Sequence, residues 1–227
     1  MTPMRRPAGV IPRLYPILDV AFFVSTADLV SFAKALVESG CSLLQYRNKS
    51  GNARVMLEQS RDLRRLFSKQ RSSQNPPEVG RPYDDSVRLI MNDRADLCLA
   101  ADFDGVHVGQ DDLSPTSVRA IIGPDELLGV STHNPEQLRE ADLTSADYLA
   151  IGPVFATSSK EKPDPVVGLE GVRRARALSR KPLVAIGGIT RGNAASVIEA
   201  GADSVAVISD LVRDPRRSAE EFFRILG

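Results

Sequence analysis

The chain has 227 residues, with 29 lysines and arginines against 29 aspartates and glutamates, 42% hydrophobic residues and 5% aromatic ones, none of them tryptophan. A formal net charge of zero excludes a surface built to neutralise nucleic acid or an anionic bilayer, and the scarcity of rings excludes a base-stacking platform. Length and composition suit one large globular domain or two small ones.

Taken in chain order, the first ten residues are basic like the start of a secretory leader, but Pro12, Arg13, Pro16 and Asp19 interrupt the stretch behind them, so no signal sequence is expected. No run nears the roughly 18 apolar residues of a membrane-spanning helix. Short β-branched or aliphatic runs then recur, each followed by a longer stretch of helical periodicity. Strands are predicted over 14–18, 43–47, 89–91, 105–108, 128–131, 148–151, 183–186 and 204–208. Helices are predicted over 27–38, 55–67, 135–141, 168–178, 193–200 and 215–226, with one more opened by Pro115 in its first turn. Residues 70–86, rich in Pro, Ser, Asn and charge, read as a flexible surface loop on the face away from chemistry. Cys41 and Cys98 sit in apolar surroundings without zinc or disulfide spacing, and read as small buried hydrophobes of a cytosolic protein.

Strand and helix in strict alternation predict parallel strands joined by crossovers. Eight such units in one chain match a single-domain α/β fold, the (β/α)8 TIM barrel, spanning 1–227. An open doubly wound sheet is the other architecture, but the G-x-G-x-x-G fingerprint is missing after the first strand. No internal repeat is evident beyond the strand–helix rhythm.

The working groups of such a barrel gather at the C-terminal ends of its strands. After the second strand's Leu44, Gln45, Arg47 and Lys49 share one side by the period of two, which suits an anion site at the mouth or a strand emerging into solvent. Asn92-Asp93 and the later Asp111-Asp112 offer oxygen ligands to Mg²⁺, or else a helix cap and a turn. The loop after the sixth strand carries Thr157, Ser158, Ser159 and Lys160, a set able to close over an anion. Gly187-Gly188 and Ile208-Ser209 end the last two strands, where barrels recurrently bind phosphate through backbone N–H groups. His107 reads as a hydrogen-bonded interior group near the mouth rather than a general base, and His133 as a loop or helix-start residue. Nothing places a base beside a nucleophile.

Six ordered motifs carry a family resemblance: Gln45-Tyr46-Arg47-Asn48-Lys49, Asn92-Asp93, Asp104-Gly105-Val106-His107-Val108-Gly109-Gln110-Asp111-Asp112, Gly129-Val130-Ser131, Gly152-Pro153-Val154-Phe155 and Ile186-Gly187-Gly188-Ile189. Through them nearly the whole chain resembles the thiamine phosphate synthases. The resemblance implies a barrel that joins a hydroxymethylpyrimidine diphosphate to a thiazole phosphate, or its carboxylated form, releasing pyrophosphate. It implies that Gln45, Arg47, Lys49, Asn92, Ser131 and Lys160 hold the pyrimidine diphosphate, with Arg47, Lys49 and Lys160 acting in catalysis. Asp93 and Asp112 would bind Mg²⁺, Asp111 falling on a variable position. Thr157, Ser159, Gly188, Ile208 and Ser209 would contact the thiazole phosphate. Two features depart from the family's pattern: a serine, Ser159, stands where threonine is usual, and 70–86 is longer. A thiazole tautomerase of the same superfamily would have no use for the diphosphate groups, and a non-catalytic phosphate-binding barrel would bind without turnover. The expected partners are two small phosphorylated substrates, with no nucleic acid and no membrane; oligomeric state stays open.

Overall fold

The computed structural model describes residues 11–68, 87–157 and 164–227. Eight strands, β1 (Leu14–Asp19), β2 (Leu43–Arg47), β3 (Arg88–Asn92), β4 (Gly105–Val108), β5 (Leu127–Thr132), β6 (Tyr148–Ile151), β7 (Leu183–Ile186) and β8 (Ser204–Val207), close into a barrel in sequence order. Every neighbouring pair is parallel, β1 against β8 included. The helices are α1 (Thr26–Glu38), α2 (Ala53–Ser68), α3 (Ala95–Ala100), α4 (Pro115–Ile122), α5 (Pro135–Asp142), α6 (Gly168–Leu178), α7 (Ala194–Glu199), α8 (Ser209–Val212) and α9 (Pro215–Leu226). The TIM barrel read from the alternation is therefore the fold, and the predicted strands differ from the observed ones by at most one residue at each end. The loop expected over 70–86 lies outside the described residues, as do Ser159 and Lys160.

The period of two sorts each strand into two cores. Leu14, Leu18, Leu44, Tyr46, Leu89, Met91, Leu128 and Leu149 face outward and pack with helix residues such as Leu29, Phe32, Leu63 and Phe222. Tyr15, Ile17, Leu43, Ile90, Leu127, Tyr148, Ala150, Val184 and Ala206 fill the barrel itself. Helix starts follow local chemistry. Ser25 and Asp28 form a reciprocal capping box on α1, and Ser114, Asn134 and Asp214 cap α4, α5 and α9, each with proline just inside. Caps of this kind contribute about 1 kcal/mol each.

Three short elements were not anticipated: a 3-10 turn at Val20–Phe22, α3 and α8. Elements this short carry little apolar periodicity, although α7, also of six residues, was expected over 193–200. The eighth strand stops at Val207, and Ile208 serves as the cap of α8.

A repeat does exist, at the N-terminal face. Asp104, immediately before β4, accepts the Leu89 N–H of β3 at 2.8 Å and Arg64 Nη2 of α2 at 2.7 Å. Asp147, before β6, accepts the Leu128 N–H of β5 at 2.8 Å and Arg119 Nη2 of α4 at 2.6 Å. Asp203, before β8, accepts the Leu183 N–H of β7 at 2.7 Å and Arg176 Nη1 of α6 at 2.8 Å. One carboxylate thus ties an even strand to its odd predecessor and to the helix between the pairs. Sequence periodicity hides it because only one aspartate and one arginine per unit carry it.

Candidate active site

At the mouth, the polar side of β2 turns into the barrel. Leu43 lies in the interior core, so Gln45 and Arg47, two and four residues on, share that direction. Tyr46 and Asn48 point the other way and meet Gln59 of α2: Tyr46 Oη donates to Gln59 Oε1 at 2.6 Å, and Asn48 Nδ2 donates to the same oxygen at 3.0 Å. This outer network fixes the start of the loop that carries Lys49. Arg47 is not free: register pairs it with Asp19 on β1, and its Nη1 donates to the buried Asp19 carboxylate. Asp19 was missed in the sequence, where it reads only as an interruption of an apolar run. Cross-strand register is what brings it to Arg47.

Lys49 Nζ reaches Asp93 Oδ2 at 2.5 Å. Asp93 follows β3 in left-handed backbone geometry, φ +65°, uncommon for a residue with a side chain and tolerated best by Asp and Asn. Its N–H donates to the His107 carbonyl at 2.8 Å, and the following residue, Arg94, takes the cap position of α3. The helix-capping alternative for Asp93 therefore does not occur, and its side chain stays at the mouth beside Asp112. Burial raises the Asp93 carboxyl above the usual range, Lys49 opposes this, and hydrogen bonding with Asp112 raises it further. Asp112 makes the expected turn as well, its Oδ2 accepting the Gly109 N–H at 2.7 Å, whereas Asp111 is exposed. Two carboxylates in mutual contact fit a hard cation whose other ligands are waters or phosphate oxygens. Among the described residues no cluster of three or more His, Cys, Asp or Glu offers a closed protein cage.

The interior below holds a polar chain. Gln45 Nε2 donates to Tyr15 Oη at 3.0 Å, Tyr15 and Tyr148 hydroxyls meet at 2.9 Å, Tyr148 Oη meets His107 Nδ1 at 3.1 Å, and His107 Nε2 meets Ser131 Oγ at 2.8 Å. With Gln45 as donor, each hydroxyl passes its proton onward, so His107 carries hydrogen on Nε2 and donates to Ser131. Burial pushes the imidazole down to about 4, so it is neutral, with both nitrogens engaged. Gly129 makes room for this: a Cβ there would stand 2.1 Å from Tyr148 Cζ and 2.4 Å from His107 Nδ1. On β3, Asn92 Nδ2 is buried without a partner among the described residues, a donor left for something that enters the mouth.

On the opposite side, three loops interlock. Val154 and Phe155 N–H groups donate to the Ile186 and Gly187 carbonyls at 2.9 and 3.0 Å, zipping the loop after β6 onto the loop after β7. Gly187 and Gly188 adopt φ +100° and +64°, and a Cβ on Gly188 would stand 2.5 Å from the Ala156 carbonyl oxygen, so both positive φ and close approach demand glycine. Asn193 pins this loop, donating to the Gly188 carbonyl at 3.0 Å and accepting the Thr190 N–H at 2.8 Å. Ile208 is half-buried against the barrel interior, Ser209 is exposed at the start of α8, and Thr157 ends the described part of the β6 loop.

The thiamine monophosphate synthase family model matches residues 14–211. The chain is 57% identical over 219 residues to the thiamine-phosphate synthase of Koribacter versatilis, covering 95% of this chain and 96% of that one. The chain belongs to this family. It is 40% identical to the thiamine-phosphate synthase of Chloroflexus aurantiacus, over 88% of this chain and 85% of the relative. A solved thiamine phosphate pyrophosphorylase from Pyrococcus furiosus superposes with a TM-score of 0.77 at 32% identity, over 94% of this chain and 95% of that one.

For this family member, the structure pairs Lys49 with Asp93 beside Asp112, holds Arg47 separately against Asp19, and links Gln45 to Ser131 through the interior chain. Gly188, Ile208 and Ser209 stand apart on the adjacent ends of β7 and β8. Tyr15, Tyr148 and Gly129 were missed, although tyrosine at an inward position of two strands is a signal. The buried cysteines are inert: burial pushes the Cys98 thiol up to about 12.

Proposed function

We infer that this protein is a thiamine phosphate synthase: it breaks the C–O bond of a pyrimidinylmethyl diphosphate, releases pyrophosphate, and forms a C–N bond to the thiazole nitrogen of the second substrate. The family match carries the reaction, and the mouth supports its details. The incoming thiazole nitrogen attacks with a lone pair and has no proton to lose, which agrees with a neutral His107 whose two nitrogens are already committed. Charge grows on the leaving diphosphate, so the chain's task is to hold it and to place the nucleophile opposite.

In this reading Arg47 and Lys49 exchange their carboxylate partners for diphosphate oxygens, Lys160 adds a third cation to them, and the Asn92 amide and Ser131 hydroxyl bind on the pyrimidine side with Gln45. Thr157, Ser159, Gly188, Ile208 and Ser209 hold the thiazole phosphate. Among the described mouth residues, two cations face three carboxylates, Asp19, Asp93 and Asp112. With Lys160 of this reading the mouth holds three cations against three carboxylates, so a bare diphosphate would meet no net positive charge. That supports Mg²⁺ held by Asp93 and Asp112, which when bound supplies charge neutralisation of the leaving group. The two phosphorylated substrates are the partners, and the cytosol, source of such small anions, is the proposed compartment; among the described residues no helix is long and apolar enough to cross a membrane.

The test is incubation with both substrates and Mg²⁺, following pyrophosphate and thiamine phosphate together. Stoichiometric appearance of both is expected, and chelation should abolish it. Thiazole phosphate binding or isomerisation without pyrophosphate release overturns the reading in favour of a tautomerase or a binding barrel.

A further inference from the structure

Arg191, in the turn between β7 and α7, commits its donors to the neighbouring loop. Its backbone N–H reaches Asp210 Oδ2 at 2.8 Å, Nε reaches the same oxygen at 3.0 Å and Nη2 reaches Oδ1 at 3.2 Å. Nη1 donates to Glu221 of α9, which also accepts Arg217 Nε at 2.9 Å. Both carboxylate oxygens of Asp210 are thereby engaged, and the guanidinium is spent on protein groups. Asp210 directly follows Ser209, and Arg191 lies three residues beyond Gly188, whose carbonyl is tied to Asn193.

Gly188 and Ser209 thus sit on two loops whose strands are neighbours but whose tips meet through this one carboxylate. We propose that Arg191 is a positioning residue for the thiazole phosphate, setting the spacing of the Gly188 loop and the Ser209 loop by gripping Asp210. The inference rests on the assignment of thiazole phosphate to these two loops. A three-donor grip, with the main chain as one donor, fixes distance and orientation together, which a point charge does not do. The pair is partly solvent-exposed, Arg191 by 35% of its side chain, so its loss costs little global stability and is felt in the loops it joins.

The experiment compares Arg191→Ala, Arg191→Lys, Asp210→Ala and the double variant Arg191→Ala/Asp210→Ala in steady-state kinetics, with calorimetric titration of 4-methyl-5-(2-phosphoethyl)thiazole and melting curves. Arg191→Ala should raise KM and Kd for the thiazole phosphate about tenfold, equivalent to roughly 1.4 kcal/mol, while KM for the pyrimidine diphosphate and kcat stay within about twofold. Arg191→Lys should fall between. Asp210→Ala, which also releases the Arg191 main-chain N–H, should weaken thiazole phosphate binding at least as much as Arg191→Ala, and the double variant should be no worse than Asp210→Ala alone, the mark of one shared contact. If Arg191 instead touched the phosphate, Asp210→Ala would leave binding unchanged or tighter and the proposal fails. It fails equally if kcat and both KM values move together with melting temperature, the pattern of general loosening. A wild type that releases no pyrophosphate would instead sink the functional reading, whereas an active wild type with an unaffected Arg191→Ala variant sinks this inference alone.

Discussion

The two ends of the barrel use the same chemistry to opposite purposes. At the N-terminal face, Arg119 donates to Asp147 and also to the Gly123, Glu126 and Ser145 carbonyls, and Asp147 accepts a strand N–H as well. At the mouth, Arg47 grips Asp19 and Lys49 grips Asp93, next to a second carboxylate and an Asn92 Nδ2 with no partner among the described residues. In the first set both terminal guanidinium nitrogens and the accepting carboxylate oxygen are spent on joining elements of the frame. The second is under-satisfied, so a multiply charged substrate can displace one partner and gain from the other. Bonds that join elements build stability, and a partner that a ligand can replace builds affinity.

Substitutions on each side can break that contrast. The largest effect is expected for Asp93→Ala: turnover with Mg²⁺ should fall roughly 10²–10³-fold in an assay of pyrophosphate release, with melting temperature nearly preserved. Near-normal turnover would remove Asp93 from the site. Next comes Asp147→Ala, which leaves a half-buried guanidinium without its counter-charge and a strand N–H without its acceptor. Denaturant unfolding should show a loss of about 3 kcal/mol, while kcat measured on the folded protein stays within about twofold. A matching fall in kcat would mean the two faces are not separable.

The interior chain between the faces gives a smaller, pH-dependent effect. Unfolded His107 takes up a proton near 6.5, whereas the buried imidazole resists it down to about 4. Its contribution is therefore complete above pH 6.5 and is lost as pH falls toward 4, about 2 kcal/mol between pH 7 and pH 5. Denaturation midpoints at those two pH values should shift in the wild type and shift less in His107→Gln; equal shifts would refute the assignment. The smallest change is expected for Asp19→Asn, which leaves Arg47 without its counter-charge. Isothermal titration should show pyrophosphate binding about three- to tenfold tighter, since an adjacent negative charge has been removed. Weaker binding would mean that Asp19 chiefly holds Arg47 in place.

What sequence could show followed physical range. Strands are legible because a β-branched or aliphatic run of four to six residues is local, and α4, α5 and α9 because a capping side chain and a proline announce them. The mouth groups Gln45, Arg47, Lys49 and Asp93 stood out as polar residues at apolar strand ends. Asp19 did not, because its meaning depends on lying opposite Arg47 across a strand pair. Tyr15 and Tyr148 are 133 positions apart and touch only once the barrel closes. Gly129 looks like any strand glycine until the space above it is seen to hold two rings. The Arg191 grip was hidden for the same reason, since an arginine in a turn is unremarked until its neighbour loop is in place.

The aspartate ties at the closed end have a bearing on how such a barrel can change. Each joins a unit of helix, strand, helix and strand, beginning at α2, α4 and α6 and finishing with β4, β6 and β8. Every such unit opens and closes at the mouth, so the joints between units are themselves loops that face substrate. A joint can be lengthened, exchanged or rewritten without cutting any tie, and new specificity can be tried on one end of the molecule while its framework is inherited intact.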